Sequence, residues 1–289
     1  SMDQFKIFIS LTRLNRPIGY MLLFWPCSWG LALAYNYVEN KSLFFYYLLL
    51  FFLGSVLMRS AGCIFNDIVD KDIDSKVERT KLRPIASGKI SIYKSALYIF
   101  CLCLFAFLVL IQFNLLTIVL GMASMILAFT YPFMKRITYW PQLFLGLTFN
   151  WGIILAYSAI NNDVSYEIFV LYTSAIFWTL GYDTIYGLQD MVDDEIIGIK
   201  STSIKFKKNI KLFVGSCYFI TFFTIVYLMQ QSLGVNIFTI LLIFFLLSLI
   251  YQLIIFDKEN GQKCLKAFKF NNISGLLMFF AFISESIQL

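Results

Sequence analysis

Histidine is absent from this chain. That removes the commonest general base and the commonest metal ligand among side chains. Any catalysis or metal binding must then fall to carboxylates, Lys, Arg or Tyr. Charge is scarce too: only 14% of the 289 residues are Asp, Glu, Lys or Arg, against roughly 25% in soluble domains. There are five prolines, and no two of the six cysteines form a CxxC pair. Cys27, Cys63, Cys101, Cys103, Cys217 and Cys264 lie mostly in apolar runs and read as small buried side chains rather than metal ligands or disulfide partners. Nor does the N-terminus have the form of a signal peptide, because residues 1–17 are polar and mixed and the first apolar run continues into a full span.

What the chain has in excess is apolar surface. Hydrophobic residues make up 60% and aromatic residues 19%, more than one soluble core can bury, so lipid must solvate many of them. The class is a polytopic membrane protein, all-α, because backbone amides in hydrocarbon must be satisfied within each segment. Nine apolar segments are expected, at about 18–37, 43–64, 92–112, 115–132, 140–160, 166–187, 210–230, 235–255 and 268–287. Each is near the roughly 20 residues needed to span the hydrocarbon. Connections 38–42, 113–114, 161–165 and 231–234 are short, whereas 65–91, 133–139, 188–209 and 256–267 are longer and basic. With nine spans, all of the 23 Lys and Arg residues except Lys41 lie at or near one side. The positive-inside rule makes that side cytoplasmic. Eight or ten spans would break this alternation.

Two acidic stretches interrupt the apolar pattern, both after even-numbered spans and so both on the cytoplasmic side. The first is Asn66-Asp67-Ile68-Val69-Asp70-Lys71-Asp72-Ile73-Asp74. On a helix Asp67, Asp70 and Asp74 fall on nearly one face, as do Asn66, Asp70 and Asp74. Carboxylates held that close repel one another, and a hard divalent cation such as Mg2+ would relieve the repulsion. The alternative is a solvated acidic loop, but these acids crowd one short stretch in a chain with only 17. The second stretch holds Asp183, Tyr186, Asp190, Asp193 and Asp194. Asp190 and Asp194 are one helical turn apart. Asp183 sits inside an apolar run, where an ionisable group is costly and reads as functional, or else as a hydrogen-bonding group at the interface. The pattern suggests a weak duplication of a span–acidic-loop–span unit. Two facing clusters could each hold one Mg2+ with a diphosphate bridging them.

Basic residues complement both stretches. Arg79, Lys81, Arg83 and Lys89 follow the first, and Lys200, Lys205, Lys207 and Lys208 follow the second. They either mark orientation or neutralise phosphate oxygens. Arg59 lies within the second span, two turns before Asp67, and either snorkels to the interface or meets an internal carboxylate or a substrate anion. Arg13 and Arg16 precede the first span and Lys135-Arg136 follow the fourth. Arg suits a carboxylate better than Lys because its planar fork binds both oxygens. Some of the 32 Phe and 17 Tyr could line a cavity for an isoprenoid chain and stabilise an allylic cation through their ring faces.

At these residues the chain resembles the UbiA family of intramembrane prenyltransferases. Asn66 to Asp74 fits the family's NDxxDxxxD motif and Asp190 to Asp194 its second, DxxxD, motif. Four longer stretches, starting at Arg13, Met58, Tyr131 and Tyr182, look like the branch that acts on 4-hydroxybenzoate, while the last third from about 210 is only generically similar. The resemblance implies a single domain over 1–289, with nine helices around a central cavity and helical cap loops at about 65–91 and 188–209. It implies prenylation of 4-hydroxybenzoate ortho to its hydroxyl by a polyprenyl diphosphate, in ubiquinone biosynthesis. Carried over by position, Asp67, Asp70 and Asp74 would serve one Mg2+ and Asp190 and Asp194 another. Asp70, Asp74, Asp190 and Asp194 would be catalytic, with Asp183 and Tyr186 supporting. Asn66, Arg79, Arg83 and Lys200 would contact diphosphate. Arg136, Arg13 or Arg59 would take the benzoate carboxylate. The setting implied is a bacterial inner membrane, or the mitochondrial one in a eukaryote, with the site facing the cytoplasm and no nucleic-acid partner. Other acceptors (naphthoate or haem), a cation-coupled transporter and a purely structural membrane protein are the rival readings.

Overall fold

The computed structural model describes residues 2–35 and 40–287. Among them the regular structure is helical: α1 Met2–Thr12, α2 Ile18–Ala34, α3 Lys41–Val69, α4 Lys71–Asp74, α5 Ile92–Leu110, α6 Leu115–Thr130, α7 Pro141–Phe149, α8 Trp151–Asn161, α9 Tyr166–Gly187, α10 Met191–Ile197, α11 Thr202–Lys205, α12 Ile210–Leu228, α13 Ile237–Ile255, α14 Gly261–Lys269 and α15 Asn271–Ile287. Eight helices are long and apolar enough to cross a membrane. The shorter apolar α2 occupies the first expected span, whose residues 36 and 37 lie outside the described residues.

Helix starts follow local chemistry. Asn40, Ser91, Asn114, Ser165 and Asn236 cap α3, α5, α6, α9 and α13, each accepting a backbone N–H into its side-chain oxygen. Two boundaries differ from the sequence expectation. The second span does not stop at 64. Helix α3 runs on to Val69 and carries the acidic motif on its last turn. The fifth span is divided at Asn150, whose side-chain amide donates to the carbonyls of Gly146 and Ala175 and to Thr179 Oγ1. Those bonds satisfy groups that lipid could not.

Pairwise packing closes a ring: α3 with α2, α2 with α15, α15 with α13, α13 with α12, α12 with α9, α9 with α7, α7 with α6, and α6 with α5, which returns to α3. Helix α2 also packs across the ring on α8. The approach is close enough that a Cβ on Gly30 would stand 2.5 Å from the Ile153 carbonyl oxygen, so only glycine fits there. Behind this contact the molecule is solid. Trp29 stacks on Trp178 at 4.8 Å, and Phe245 and Phe282 close around them. Buried Gln252 and Asn271 bond each other, and Tyr218 and Trp178 donate to them. In front of it, α2, α3, α5, α6, α7, α8, α9 and α14 line a cavity of about 1020 Å³.

Candidate active site

Two helix junctions form the mouth of this cavity. At the first, α3 passes into α4 through Asp70 (φ −96°, ψ 12°). The i to i−4 bonds from Asp70 N to Asn66 O (2.9 Å) and from Asp74 N to Asp70 O (2.7 Å) keep the helical register across the join. At the second, α9 gives way to a 3-10 turn, Leu188–Asp190, and then to α10 through Asp190 (φ −108°, ψ 7°). The backbone at Asp70 and Asp190 is near-identical.

Asn66, Asp70, Asp74, Asp183, Asp190 and Asp194 all line the cavity. Arg79 ties the two junctions together. Its Nε and Nη2 donate to the Asp190 carboxylate at 2.9 and 2.7 Å, and its guanidinium lies 5.3 Å from the centre of the Tyr186 ring. The Glu78 backbone N–H adds a bond to Asp193 at 3.2 Å. The loops expected as separate caps therefore interlock over the mouth. Arg83 lies 3.2 Å from Asp74 and 3.5 Å from Asp67. Lys200 reaches the mouth because Gly198, at φ 91°, closes α10 with a left-handed turn that a side chain would strain. Two residues further on, Lys200 N–H donates to the Lys135 carbonyl at 2.9 Å.

Two expected site residues, Asp67 and Arg136, lie outside the cavity lining, and a third, Arg13, is engaged by one of them. Asp67 is buried but does not line the cavity, since both its oxygens accept from Arg13, at 2.6 and 2.8 Å. Arg13 lies at the cavity edge and is committed to that carboxylate. The ion pair pins the turn between α1 and α2, where Arg13 has φ 56°. Arg136 is absent from the lining. Its guanidinium is 45% exposed and donates to the Val69 carbonyl at 2.6 Å, fastening the end of α3. The neighbouring Lys135 points inward instead and donates to Asp70 Oδ2. In the sequence both cations simply follow the fourth span. Choosing between them needs the 3-10 geometry of Tyr131–Arg136, which apolar periodicity does not encode. The same turn brings Tyr131 into the cavity wall, a residue the sequence offered only as one aromatic among many.

Deeper in, Arg59 lines the cavity with its guanidinium 5.7 Å from the centre of the Phe149 ring and against Gly19, and its buried Nε has no hydrogen-bond partner. Asp183 shares that region. Among the described residues neither Asp183 nor Asp194 has a basic group within ion-pair distance.

The donor set suits a divalent cation held jointly with a ligand. Asp70 Oδ1 is buried and has no hydrogen-bond partner. Such an atom is costly unless something cationic completes it. Among the described residues no group of three acids, cysteines or histidines forms a ready cage. Mg2+ usually binds through one or two carboxylates plus substrate phosphates. Burial pushes the Asp74 carboxyl up to about 6, with Arg83 opposing the rise and Asp70 and Asp67 adding to it. Burial raises Asp70 as well, against the pull of Lys135. A doubly charged ion would offset both effects.

An all-helical, multi-pass membrane protein whose two acidic junctions share one polar mouth above an apolar hollow is the class these observations define. Residues 23–283 match the model of the UbiA prenyltransferase family, and the chain belongs to that family. It is 38% identical to a 4-hydroxybenzoate octaprenyltransferase of Vibrio vulnificus over 96% of each chain. It is 46% identical to the mitochondrial 4-hydroxybenzoate polyprenyltransferase of Arabidopsis thaliana over 73% of this chain and 52% of that protein. The chain thus spans about half the length of that relative and of the Drosophila relatives it matches. Among solved structures, the apo form of a UbiA homologue from Aeropyrum pernix K1 superposes with TM-score 0.76 at 22% identity, covering 93% of this chain and 98% of that one. An Archaeoglobus fulgidus homologue bound to GPP and Mg2+ superposes with TM-score 0.72 at 18% identity, over 96% and 99%. At these identities the likeness is one of fold.

Proposed function

We propose that this protein transfers a polyprenyl group from polyprenyl diphosphate to the ring carbon ortho to the hydroxyl of 4-hydroxybenzoate, releasing diphosphate, as a step of ubiquinone biosynthesis. One observation carries the reading: Asp70 and Asp190, from separate acidic junctions, line one cavity mouth that continues into an apolar hollow. The names of relatives that match over nearly their full length point the same way. So does an archaeal structural neighbour holding GPP and Mg2+. A coupled transporter is disfavoured because the acids sit at helix ends on one side, away from the midplane where transporter sites cluster.

Asp70 and Asp74 on one side and Asp190 and Asp194 on the other would hold Mg2+, which when bound supplies charge neutralisation to the diphosphate. Arg79, Arg83, Lys135 and Lys200 surround the place where diphosphate oxygens gather charge as the allylic C–O bond lengthens. Two of these cations, Arg79 and Lys135, are held by the carboxylates of Asp190 and Asp70 and so need little reorganisation. Tyr131, Tyr186 and Phe149 offer ring faces to the allylic cation in a space that keeps water from quenching it. For the aromatic acid, Arg59 is the carboxylate partner the site supports best, because its buried Nε lacks a partner and it lies below the acidic mouth. Arg13 and Arg136 are both occupied, by Asp67 and by the Val69 carbonyl. The electron-rich ring attacks the cation, and its ring proton passes to Asp183 or to the departing diphosphate as aromaticity returns. By the positive-inside rule the basic connections support a mouth facing the cytoplasmic side of a bacterial inner membrane, or its mitochondrial counterpart.

Purified protein with Mg2+, 4-hydroxybenzoate and a series of prenyl diphosphates should yield prenylated 4-hydroxybenzoate by mass spectrometry. Prenylated naphthoate or haem in its place, or cation flux in liposomes without product, would overturn the assignment.

A further inference from the structure

Two lysines of the mouth, Lys135 and Lys200, come from connections that lie side by side. Residues 135–142 lead from the turn after α6 into α7, and residues 198–202 lead from α10 into α11. At one end Lys200 N–H donates to the Lys135 carbonyl at 2.9 Å, and the Lys200 ammonium lies 5.6 Å from the centre of the Tyr139 ring. At the other end the side-chain Oε1 of Gln142 accepts the Thr202 N–H at 3.1 Å. Tyr139 is exposed, whereas Gln142 is 5% exposed and Thr202 is fully buried. Gln142, Lys135 and Lys200 all line the cavity.

Local chemistry sets both ends of the Gln142–Thr202 bond. Pro141 opens α7, where its fixed φ suits the helix and its missing N–H is not needed, so Gln142 projects from a rigid first turn. Thr202 opens α11, and the N–H of an opening residue has no acceptor inside its own helix. Ser201 caps that helix, but its hydroxyl is committed to the Ile204 N–H at 3.1 Å. The Thr202 N–H therefore depends on Gln142, and a buried N–H left without an acceptor is costly. The surroundings are tightly tied. Thr184 Oγ1 meets Thr202 Oγ1 at 2.7 Å, and Ser203 Oγ donates to the Thr184 carbonyl at 2.7 Å, fastening α11 to α9. Gly187, three residues before Asp190, leaves room for this seam. A Cβ there would stand 2.5 Å from Ser203 Oγ and 3.3 Å from Gln142 Nε2.

We propose that Gln142 is a positioning residue for diphosphate binding: by holding the Thr202 N–H it fixes Lys200 beside Lys135, so that both ammonium groups meet the same diphosphate. The proposal rests on the transferase reading above. Gln142 acts through the backbone and not by touching substrate. A lysine is a point charge on a flexible stem, so its placement is only as good as that of its Cα. Moving a binding group by about 1 Å is enough to lose ~10²-fold in rate.

The test is a double-mutant cycle between Gln142 and Lys200. Its readouts are KM for the prenyl diphosphate, Ki for inorganic diphosphate and KM for 4-hydroxybenzoate, all at saturating Mg2+. Gln142→Met keeps the bulk and removes the acceptor. It should raise the donor KM and the diphosphate Ki by about tenfold, and leave KM for 4-hydroxybenzoate within about twofold of wild type. Thr202→Pro removes the bond from the other side, at an opening position that tolerates proline. It should give the same split, and it takes the place of Gln142→Met in the cycle if that variant does not elute as a monodisperse species in detergent. In a Lys200→Met background, breaking the bond should add less than about twofold, because the group it positions is already gone. Full additivity, an equal rise in KM for both substrates, or wild-type constants in both bond-breaking variants overturns the proposal. Absence of prenylated product from the wild type with every donor would instead sink the transferase reading.

Discussion

The two acidic junctions share a backbone and differ in their surroundings. At the first, Asp67, Asp70 and Asp74 are all buried, and each faces a cation: Arg13, Lys135 and Arg83. At the second, the acids Asp183, Asp190, Asp193 and Asp194 are half-buried, among the described residues only Asp190 of these has a cationic partner, and that partner, Arg79, comes from the first loop. The contrast separates two duties. The first junction is a rigid, charge-compensated wall built with α1, α3 and the turn after α6. The second is a looser jaw that the Arg79 bridge holds against it. Buried ion pairs cost much to break, because the abandoned partner stays desolvated. Among the described residues the Asp183 and Asp194 carboxylates of this jaw have no ion-pair partner.

Substitutions that attack the wall should have the largest effects. Asp70→Ala removes the one buried carboxylate oxygen that, among the described residues, lacks a hydrogen-bond partner, and it strands Lys135. Turnover should fall by about 10²–10³ or more, measured as prenylated product by mass spectrometry, with the protein still monodisperse in detergent. Wild-type turnover from that variant would remove Asp70 from the site. Arg59→Ala, below both junctions, should raise KM for the aromatic acid by roughly 10–100-fold, the loss of a charge-assisted hydrogen bond being worth about 1.5–3 kcal/mol. KM for the donor should hold. An equal rise for both substrates would mean that Arg59 shapes the cavity and does not take the carboxylate.

Opening the jaw should cost less. Arg79→Ala and Asp190→Asn break the same bridge, yet they should diverge. The Arg variant should weaken diphosphate binding about tenfold while retaining Mg2+ dependence, and the Asp variant should also shift the Mg2+ requirement upward, since only Asp190 offers a metal ligand. Equal Mg2+ titrations in the two would erase the distinction. The smallest effect belongs to Arg136→Ala, which loses a bond to the Val69 carbonyl and a long, 3.9 Å ion pair with Asp70 Oδ1, so kinetics within about twofold of wild type are expected. A large loss there would return Arg136 to the substrate.

The wall also predicts a pH signature. With its carboxyl raised to about 6, Asp74 takes up a proton in the folded, metal-free protein well before it would in the unfolded chain. Its contribution to stability therefore rises as pH falls through about 6 toward the unfolded value. Mg2+ affinity should move the other way, weakening below about pH 6 as protons compete for the same carboxylate. Melting curves and Mg2+ titrations between pH 5 and 8 would read both signs. Parallel trends would mean that Asp74 is not a ligand.

Much of this was legible from composition and spacing. Missing charge and abundant Phe and Leu allow one solvent for most of the chain, and the alternation of basic and short connections orders its helices. Two acid-rich stretches after even spans predicted one shared mouth, because helices of like parity end on the same side. What one dimension could not carry was orientation at single residues. Asp67 and Asp70 stand on the same helical face in sequence, yet one meets Arg13 and leaves the cavity while the other opens into it. Lys135 and Arg136 are adjacent equals until a 3-10 turn points one in and one out. Apolar periodicity is set by burial, which many residues share. The partner of a given charge depends on which distant segment packs beside it, and only the closed ring of helices decides that.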